Sequence, residues 1–376
     1  IAGVLGNPLL AEPLRLFAAA PMLLMPVLGG ENILVVYGKA HLVAGYVLIS
    51  RAFMIACVVL PVVVFDAGVS GAIAGFVLAS LVTCVAGQKL SSVPFRNVSP
   101  VKSRLTVREL LRFSMPVFAS SMYGFVIGSA SQFLVSRYLG VEDFALFANG
   151  YRELPLAGMI IGAAAGVLLP EFSRLWQAAV LKSSAIIYPL SVFCCVFAPE
   201  IICLLYGEGY REAAGLFRIV TLVNLARIMP YAPVLFALGR GKAFARAHLV
   251  TALLIVGLEL WCVMVFPSLW AIAAIATGCT FFCLFLLMTT TARVLGTSLA
   301  GLMPWRMLTI VLLVSAAACT AARLAVLLTG MTHYLVVVSV GFAVYLSLYL
   351  PFAQRAGIRY MELFGPVLAK LRPNRT

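Results

Sequence analysis

The chain has 376 residues, of which 63% are hydrophobic and 11% are charged, and its mean hydropathy is +1.08. A soluble domain is roughly half apolar and a quarter charged, so this composition excludes a soluble globular protein and predicts an all-α, multi-pass membrane protein. The formal net charge of +14 would suggest nucleic-acid binding in a soluble protein. In a membrane protein it is explained first by basic cytoplasmic loops, and no nucleic-acid partner is expected.

Long apolar runs separated by short polar turns predict about eleven spanning helices, because about twenty apolar residues cover the hydrocarbon core. In chain order the predicted spans cover residues 14–36, 41–64, 68–87, 108–138, 143–174, 183–206, 211–239, 243–266, 269–295, 304–328 and 332–353.

The distribution of basic residues predicts which ends of these helices face the cytoplasm. The longest connection, residues 88–107, contains Lys89, Arg96, Lys102 and Arg104. If this loop is cytoplasmic, most of the other Lys and Arg residues also fall at cytoplasmic helix ends, as the positive-inside rule requires. The same alternation places Ile1 outside, so an odd number of helices is expected upstream of it.

An internal repeat is predicted from two matching turns. Gly38-Lys39-Ala40 and Gly241-Lys242-Ala243 each follow a proline-bearing helix, and they are 203 residues apart (241 − 38). The two copies run in the same direction, which predicts lobes related by an axis along the membrane normal. About three helices would then precede Ile1, giving about fourteen spans in two pseudo-symmetric six-helix lobes around a central cavity, with an appended helix pair.

The expected domains follow from this repeat. They are the remainder of the N-lobe (1–90), a cytoplasmic inter-lobe loop (91–107), the C-lobe (108–296), the additional C-terminal helix pair (297–354) and a basic cytoplasmic tail (355–376).

Several stretches, in this order and spacing, carry a resemblance to a known family. They are residues 110–116 (LLRFSMP), 133–140 (FLVSRYLG), 147–155 (FANGYRELP), 168–174 (LLPEFSR), 198–207 (APEIICLLYG) and 238–242 (LGRGK). The chain resembles the Wzx-type lipid-linked oligosaccharide flippases, or polysaccharide biosynthesis proteins, of the superfamily that includes the MATE drug exporters. One departure concerns Ser131-Gln132, where many relatives have an acidic residue followed by a basic one.

The resemblance implies a non-enzymatic transporter that moves a polyprenyl-diphosphate-linked oligosaccharide from the inner to the outer leaflet of the bacterial inner membrane by alternating access. Membrane lipids would be further partners, along with a polysaccharide polymerase and other assembly proteins. No cofactor is expected. Cys279 and Cys283 lie four residues apart, but no His or carboxylate near them in the sequence completes a metal site.

Charged residues at membrane depth usually mark a polar pathway. Arg51, Arg152 and Arg227 lie within predicted spans, and a guanidinium can hold two oxygens of a diphosphate. Glu153 is also a cavity candidate, although adjacent helical residues point about 100° apart, so Arg152 and Glu153 cannot aim at one spot. Structural ion pairs are the alternative interpretation of all these residues.

Other polar residues within the spans have two interpretations each. Glu259 could carry a proton or another coupling ion, as could Glu153, or it could pair with an arginine. Asn149 and Asn224 could bind sugar hydroxyls or join neighbouring helices. Arg323, near an outer helix end, is expected to extend its charge to the interface.

The sequence also bears on two other functions. A MATE-like, cation-coupled exporter of small cations would favour an acidic cavity, whereas the deep arginines favour an anionic cargo. A membrane-embedded glycosyltransferase, polymerase or ligase would carry catalytic carboxylates or histidines in a sizeable outer loop, but the predicted outer connections are all short.

Overall fold

A computed structural model describes residues 11–27, 29–96, 106–154, 157–160, 172–229, 231–358 and 360. The described residues form helices, turns and connections, without β-strands. The chain divides into two compact units, Ile1–Thr106 and Val107–Thr376. Most of the predicted basic tail lies outside the described residues, as do parts of the inter-lobe loop and of the 168–174 motif.

The first unit contains three short helices followed by two long ones. They are α1 (Ala11–Phe17), α2 (Ala19–Leu24), α3 (Gly30–Val36), α4 (Ala40–Val63) and α5 (Gly68–Ser91). The long helices α4 and α5 pack against each other. They approach closely at Gly75, where a Cβ atom would overlap the carbonyl oxygen of Cys57. A side chain at residue 75 would therefore force the two helices apart.

The second unit contains a longer series of helices. They are α6 (Val107–Tyr138), α7 (Val141–Gly150), α8 (Phe172–Val196), α9 (Ala198–Tyr206), α10 (Ala213–Thr221), α11 (Tyr231–Ala237), α12 (Gly241–Val265), α13 (Leu269–Val294), α14 (Leu299–Leu302), α15 (Trp305–Leu328) and α16 (Tyr334–Arg355). Helix α12 packs along both α6 and α13, while α15 packs along α8 and α16.

Eight of the described helices are long and apolar enough to cross a membrane. Seven of them, α4, α5, α6, α12, α13, α15 and α16, match predicted spans to within a few residues. The eighth covers Trp176–Val196 within α8. Helix α8 begins at Phe172, so it continues through the turn that was predicted between residues 174 and 183. The predicted all-α, multi-pass membrane architecture is confirmed.

The other three predicted spans are interrupted helices. Residues 14–36 form α1, α2, a 3-10 turn at Met25–Val27 and α3. In the segment 143–174, α7 ends at Gly150, residues 151–154 are not helical, and residues 157–160 are helical again. The segment 211–239 is divided into α10, a 3-10 turn at Leu222–Leu225 and α11. Proline is present in each segment, and it removes a backbone donor from the helical pattern.

The structure corrects the register of the internal repeat. Gly38 and Gly239 both have positive φ, +72° and +70°, a conformation that glycine adopts at helix C-termini. The next amide in each case, that of Lys39 or Arg240, donates to the carbonyl oxygen of Leu34 or Leu235, at 2.8 and 2.7 Å. These equivalent turns are 201 residues apart (239 − 38).

Helix starts agree with the same spacing. Ala40 and Gly241 begin α4 and α12, and Gly68 and Leu269 begin α5 and α13. The predicted offset of 203 residues is therefore wrong by two, because it aligned identical residues instead of the glycine that the turn geometry requires. The order of interrupted helix, turn and two long helices is the same in both units. The assignment of these units to complete transporter lobes stays a prediction.

The last two helices are joined to the centre of the second unit by an ion pair. Arg323 on α15 donates to Glu200 on α9 at 2.7 Å, and its guanidinium lies 5.1 Å from the centre of the Phe197 ring. Gly341 on α16 faces the same ring, at a distance where a Cβ atom would lie 2.6 Å from it. Arg323 therefore points into the helix assembly instead of extending to the interface as predicted.

Candidate substrate cavity

A cavity of about 770 Å³ lies within the second unit. Its walls come from α6, α11, α12 and α13 and from the residues that follow α7 and α10. Most of the lining is apolar. The polar and charged lining residues are Ser131, Gln132, Tyr151, Glu153, Arg227, Tyr231, His248 and Thr280.

Each of the two interrupted helices of this unit places a charged residue at the cavity wall. Gly150 ends α7 where it meets α10, and a Cβ atom there would lie 2.6 Å from the carbonyl oxygen of Ala213. The chain then leaves the helical path and carries Tyr151 and Glu153 to the cavity wall. Arg227 lies in the second interruption, between α10 and α11.

Side chains satisfy part of the backbone that these breaks release. The hydroxyl of Tyr188 donates to the carbonyl oxygen of Leu225 at 2.7 Å. A buried polar group without a partner costs about 1–3 kcal/mol, so this bond helps the chain to remain non-helical in an apolar setting. Non-helical backbone at membrane depth is tolerated where protein or a water-filled cavity surrounds it.

Arg227 and Glu153 form an ion pair on the cavity wall. The Arg227 side chain is 33% exposed and that of Glu153 is 50% exposed, so solvent screens the pair and its net contribution to stability is small. Within the described part of this unit, Arg227 is the only arginine that lines the cavity, and its charge is balanced by Glu153. This half of the predicted cationic cavity is therefore close to electrically neutral.

The neighbouring residues Arg152 and Glu153 point in different directions, although both lie beyond the end of the helix α7. Arg152 is exposed and its Nε donates to the carbonyl oxygen of Ala148 at 3.0 Å, back along α7. It is absent from the cavity lining. The structure therefore brings Glu153 together with Arg227, which lies 74 residues further along the chain.

Glu259 on α12 is fully buried behind the cavity wall. One of its oxygens, Oε1, accepts a hydrogen bond of 2.5 Å from the hydroxyl of Ser131, a lining residue on α6. The other, Oε2, has no hydrogen-bond partner among the described residues. Glu259 also has no ion pair in that part of the chain, so the predicted alternative of pairing with an arginine is not what the structure shows.

Three further polar residues of this region were not singled out from the sequence. Tyr151 and Thr277 share a hydrogen bond of 2.9 Å between their hydroxyls. His248 lines the cavity, and its Nδ1 lies 3.1 Å from the carbonyl oxygen of Phe244. The position of His248 was detectable, because it precedes Glu259 by eleven residues. That is about three helical turns, which places the two side chains on one face of α12.

The two predicted sugar-binding amides make local contacts. The Nδ2 of Asn149 donates to the carbonyl oxygen of Ala145 at 3.0 Å, and that of Asn224 donates to the carbonyl oxygen of Thr221 at 3.1 Å. Asn224 is buried, and neither residue is part of the cavity lining. A role for them in sugar binding stays a prediction.

Arg51 belongs to the first unit. It is exposed on α4 and lines a small cavity of about 130 Å³, together with Glu31, Tyr46 and Ser50. The hydroxyl of Tyr46 donates to the carbonyl oxygen of Thr83 at 3.0 Å, which ties α4 to α5 at this level. Arg51 makes no ion pair with a described residue, and its role in cargo binding stays a prediction.

Comparisons with known proteins bear on this arrangement. A solved structure of "Lipid II flippase MurJ, inward closed conformation" aligns with 93% of the chain and 75% of its own, at a TM-score of 0.61 and 15% identity, which shows a shared fold. A search of curated protein sequences finds no match. The model of the family described as "Polysaccharide biosynthesis protein" matches residues 1–215. Since this is more than half of the chain, the protein belongs to the polysaccharide biosynthesis family, which confirms the predicted resemblance.

Proposed function

We propose that the protein is a flippase, which carries a polyprenyl-diphosphate-linked oligosaccharide from the inner to the outer leaflet of the bacterial cytoplasmic membrane. The observation that carries this proposal is the cavity with an Arg–Glu ion pair on its wall, at the two helix interruptions of an apolar bundle, in a chain of the polysaccharide biosynthesis family. The function is transport, so no residue is assigned a catalytic role. The glycan and the membrane lipids are the immediate partners, and a polymerase and other assembly proteins would act on the product.

The diphosphate is the part of this cargo that cannot enter hydrocarbon, and Arg227 is positioned to receive it. In the described structure the Arg227 guanidinium is held by the carboxylate of Glu153. A diphosphate offers more oxygens than a carboxylate, and two of them can accept hydrogen bonds from one guanidinium. It would therefore replace the carboxylate of Glu153. The polyprenyl tail would remain in the lipid, so its transfer out of the hydrocarbon is not needed. Sugar hydroxyls would meet Gln132 and Thr280 on the cavity wall.

Glu259 supplies a coupling site in this proposal. Keeping an ionised carboxylate at the centre of a membrane helix costs roughly 3 kcal/mol, and here no described cation offsets that cost. Proton binding removes the charge. Because Ser131 joins Glu259 to the cavity wall, protonation would alter the contact between α6 and α12 and so favour one of the two access states.

A second candidate function is retained on one observation. Among the described residues at the cavity, the lining arginine is paired, and the carboxylate Glu259 behind the wall has no cationic partner, an arrangement that also suits a MATE-like exporter of small cations. The two proposals differ in the cargo that occupies the cavity.

Deletion of the gene tests the proposed function. We expect lipid-linked repeat units to accumulate in the inner leaflet, because their diphosphate has no other route across hydrocarbon. The measurement is labelling of the lipid-linked pool with an impermeant sugar-oxidising reagent, compared with a strain that carries a restored copy. A normal outer-leaflet pool, with cell-surface polysaccharide unchanged, would contradict the flippase. Increased sensitivity to cationic drugs in the same strain would favour the exporter.

Substitutions at the ion pair test the assigned roles of its two members. A charge-assisted hydrogen bond contributes about 1.5–3 kcal/mol, so Arg227→Gln should lower transport about tenfold or more. Glu153→Gln should leave transport near the wild-type rate or raise it, because the carboxylate competes with the cargo for Arg227. Initial rates of flipping in proteoliposomes are the measurement. The matched control is Arg211→Gln, which removes a guanidinium from an exposed pair with Glu208.

The double variant separates a ligand-binding pair from a structural one. If Glu153 only occupies the binding position, the double variant should behave as Arg227→Gln does. If each single variant fails and the double variant recovers, the pair is structural and Arg227 does not bind the cargo.

Glu259→Gln tests the coupling site. The amide has the size of the protonated carboxyl group but cannot lose a proton, so transport should no longer respond to an imposed pH gradient. Flipping rates with and without the gradient are compared with those of Glu142→Gln, a change at an exposed carboxylate at the start of α7. A wild-type response in Glu259→Gln, or a response to sodium gradients alone in the wild type, would exclude proton coupling at this residue.

A further inference from the structure

A second concave site, separate from the cavity, lies between the ends of α12 and α13. This groove has a volume of about 460 Å³, and Arg240, Arg246 and Arg293 line it. All three arginines are exposed, and none forms an ion pair with a described residue. No acidic residue lines the groove, so it concentrates positive charge without an internal counter-ion. We refer to it as the arginine groove.

The arginine groove changes from charged to apolar along its length. On α12, Val250 lies ten residues beyond Arg240, or about 15 Å along the helix. On α13, Leu286 lies seven residues before Arg293, which corresponds to about 10 Å. Both apolar residues line the groove. In the predicted topology the arginines lie at the cytoplasmic surface, while Val250 and Leu286 lie within the hydrocarbon layer.

The groove and the cavity occupy opposite faces of α12. Phe244 and His248 line the cavity, whereas Arg246 and Val250 line the groove. Residues two apart on a helix are separated by about 200°, so a ligand in the groove faces away from the proposed transport path. No residue is shared between the two linings.

The positive-inside rule alone does not account for this cluster. At the repeat spacing of 201 residues, the positions that correspond to Arg240, Arg246 and Arg293 are Lys39, Gly45 and Ser92. In the first unit, positive charge at the predicted cytoplasmic helix ends therefore comes partly from other residues, such as Lys89 at the end of α5. In the second unit, by contrast, three arginines converge on one groove.

We propose that the arginine groove binds an anionic phospholipid of the inner leaflet. Its phosphate would bind to the guanidinium groups at the mouth, and an acyl chain would follow the apolar floor past Val250 and Leu286. A soluble phosphate would use the mouth but leave the floor empty. A polyprenyl-diphosphate cargo would share the phosphate chemistry, but the groove faces away from the cavity. A basic pocket between helices on the cytoplasmic side is a recognised type of lipid headgroup site.

Lipid binding to the purified, delipidated full chain tests the proposal. The probe is phosphatidylglycerol, and its retention is measured by native mass spectrometry together with the thermal midpoint, which rises when a ligand binds the folded state. We expect Arg246→Gln with Arg293→Gln to weaken retention about tenfold or more. The matched control, Arg112→Gln with Arg306→Gln, removes two exposed arginines at other predicted cytoplasmic helix ends and should bind as the wild type does.

A second variant tests the apolar floor with all three arginines intact. Val250 is 39% exposed, so Val250→Trp can fill the floor with little effect on the core, and it should also reduce retention. Phosphatidylcholine, which has no net charge, should neither bind comparably nor compete.

Three outcomes would overturn the assignment. The first is equal retention by the arginine variant and its control. The second is displacement of the lipid by inorganic phosphate at similar concentrations, which would make this a soluble-anion site. The third is preferential displacement by a polyprenyl phosphate, which would assign the groove to the cargo.

Discussion

The hydrocarbon core of the membrane provides no hydrogen bonds, and this constraint explains where polar groups occur in the protein. A continuous helix satisfies most of its own backbone groups, so the eight long apolar helices need few hydrogen bonds from their neighbours. An interrupted helix does need help, because its free amides and carbonyls must find other partners. In the second unit the interruptions at residues 151–154 and 222–229 border one cavity, and the ion pair between Glu153 and Arg227 joins them. The breaks are therefore tolerated where they create a polar surface.

The same constraint makes the buried carboxylate informative. Glu259 lies on the face of α12 that also carries His248, and its contact with Ser131 links it to α6. A structural role alone would be served equally well by a neutral side chain at lower cost. The unsatisfied oxygen of Glu259 is consistent with a group that gains and loses a proton during a cycle. The helices α15 and α16 are fixed to α9 by Arg323, Phe197 and Gly341, whereas the α6–α12 contact joins a buried carboxylate to the cavity.

Some of this could be predicted from the sequence and some could not. Hydropathy located the uninterrupted helices, because length and composition are properties of one segment. It also identified Glu153, Arg227 and Glu259 as charges at membrane depth. Their partners were not predictable, since Glu153 and Arg227 are 74 residues apart and Ser131 and Glu259 are 128 apart. The register of the repeat was missed for a different reason. The prediction matched identical residues, whereas the fold preserves a glycine with positive φ at the end of a helix, at Gly38 and Gly239.

The central claim is that the cavity of the second unit is a water-accessible cargo site, and thiol labelling tests it most directly. The nine native cysteines are first replaced, and Gln132→Cys is introduced on the cavity wall. Leu313→Cys, on the exposed apolar surface of α15, is the control. We predict that a charged, impermeant thiol reagent modifies the Gln132→Cys protein and not the control, and that a polyprenyl-diphosphate-linked oligosaccharide protects the cavity position. A cavity position that does not react, or that reacts at the same rate with saturating cargo, would contradict the account.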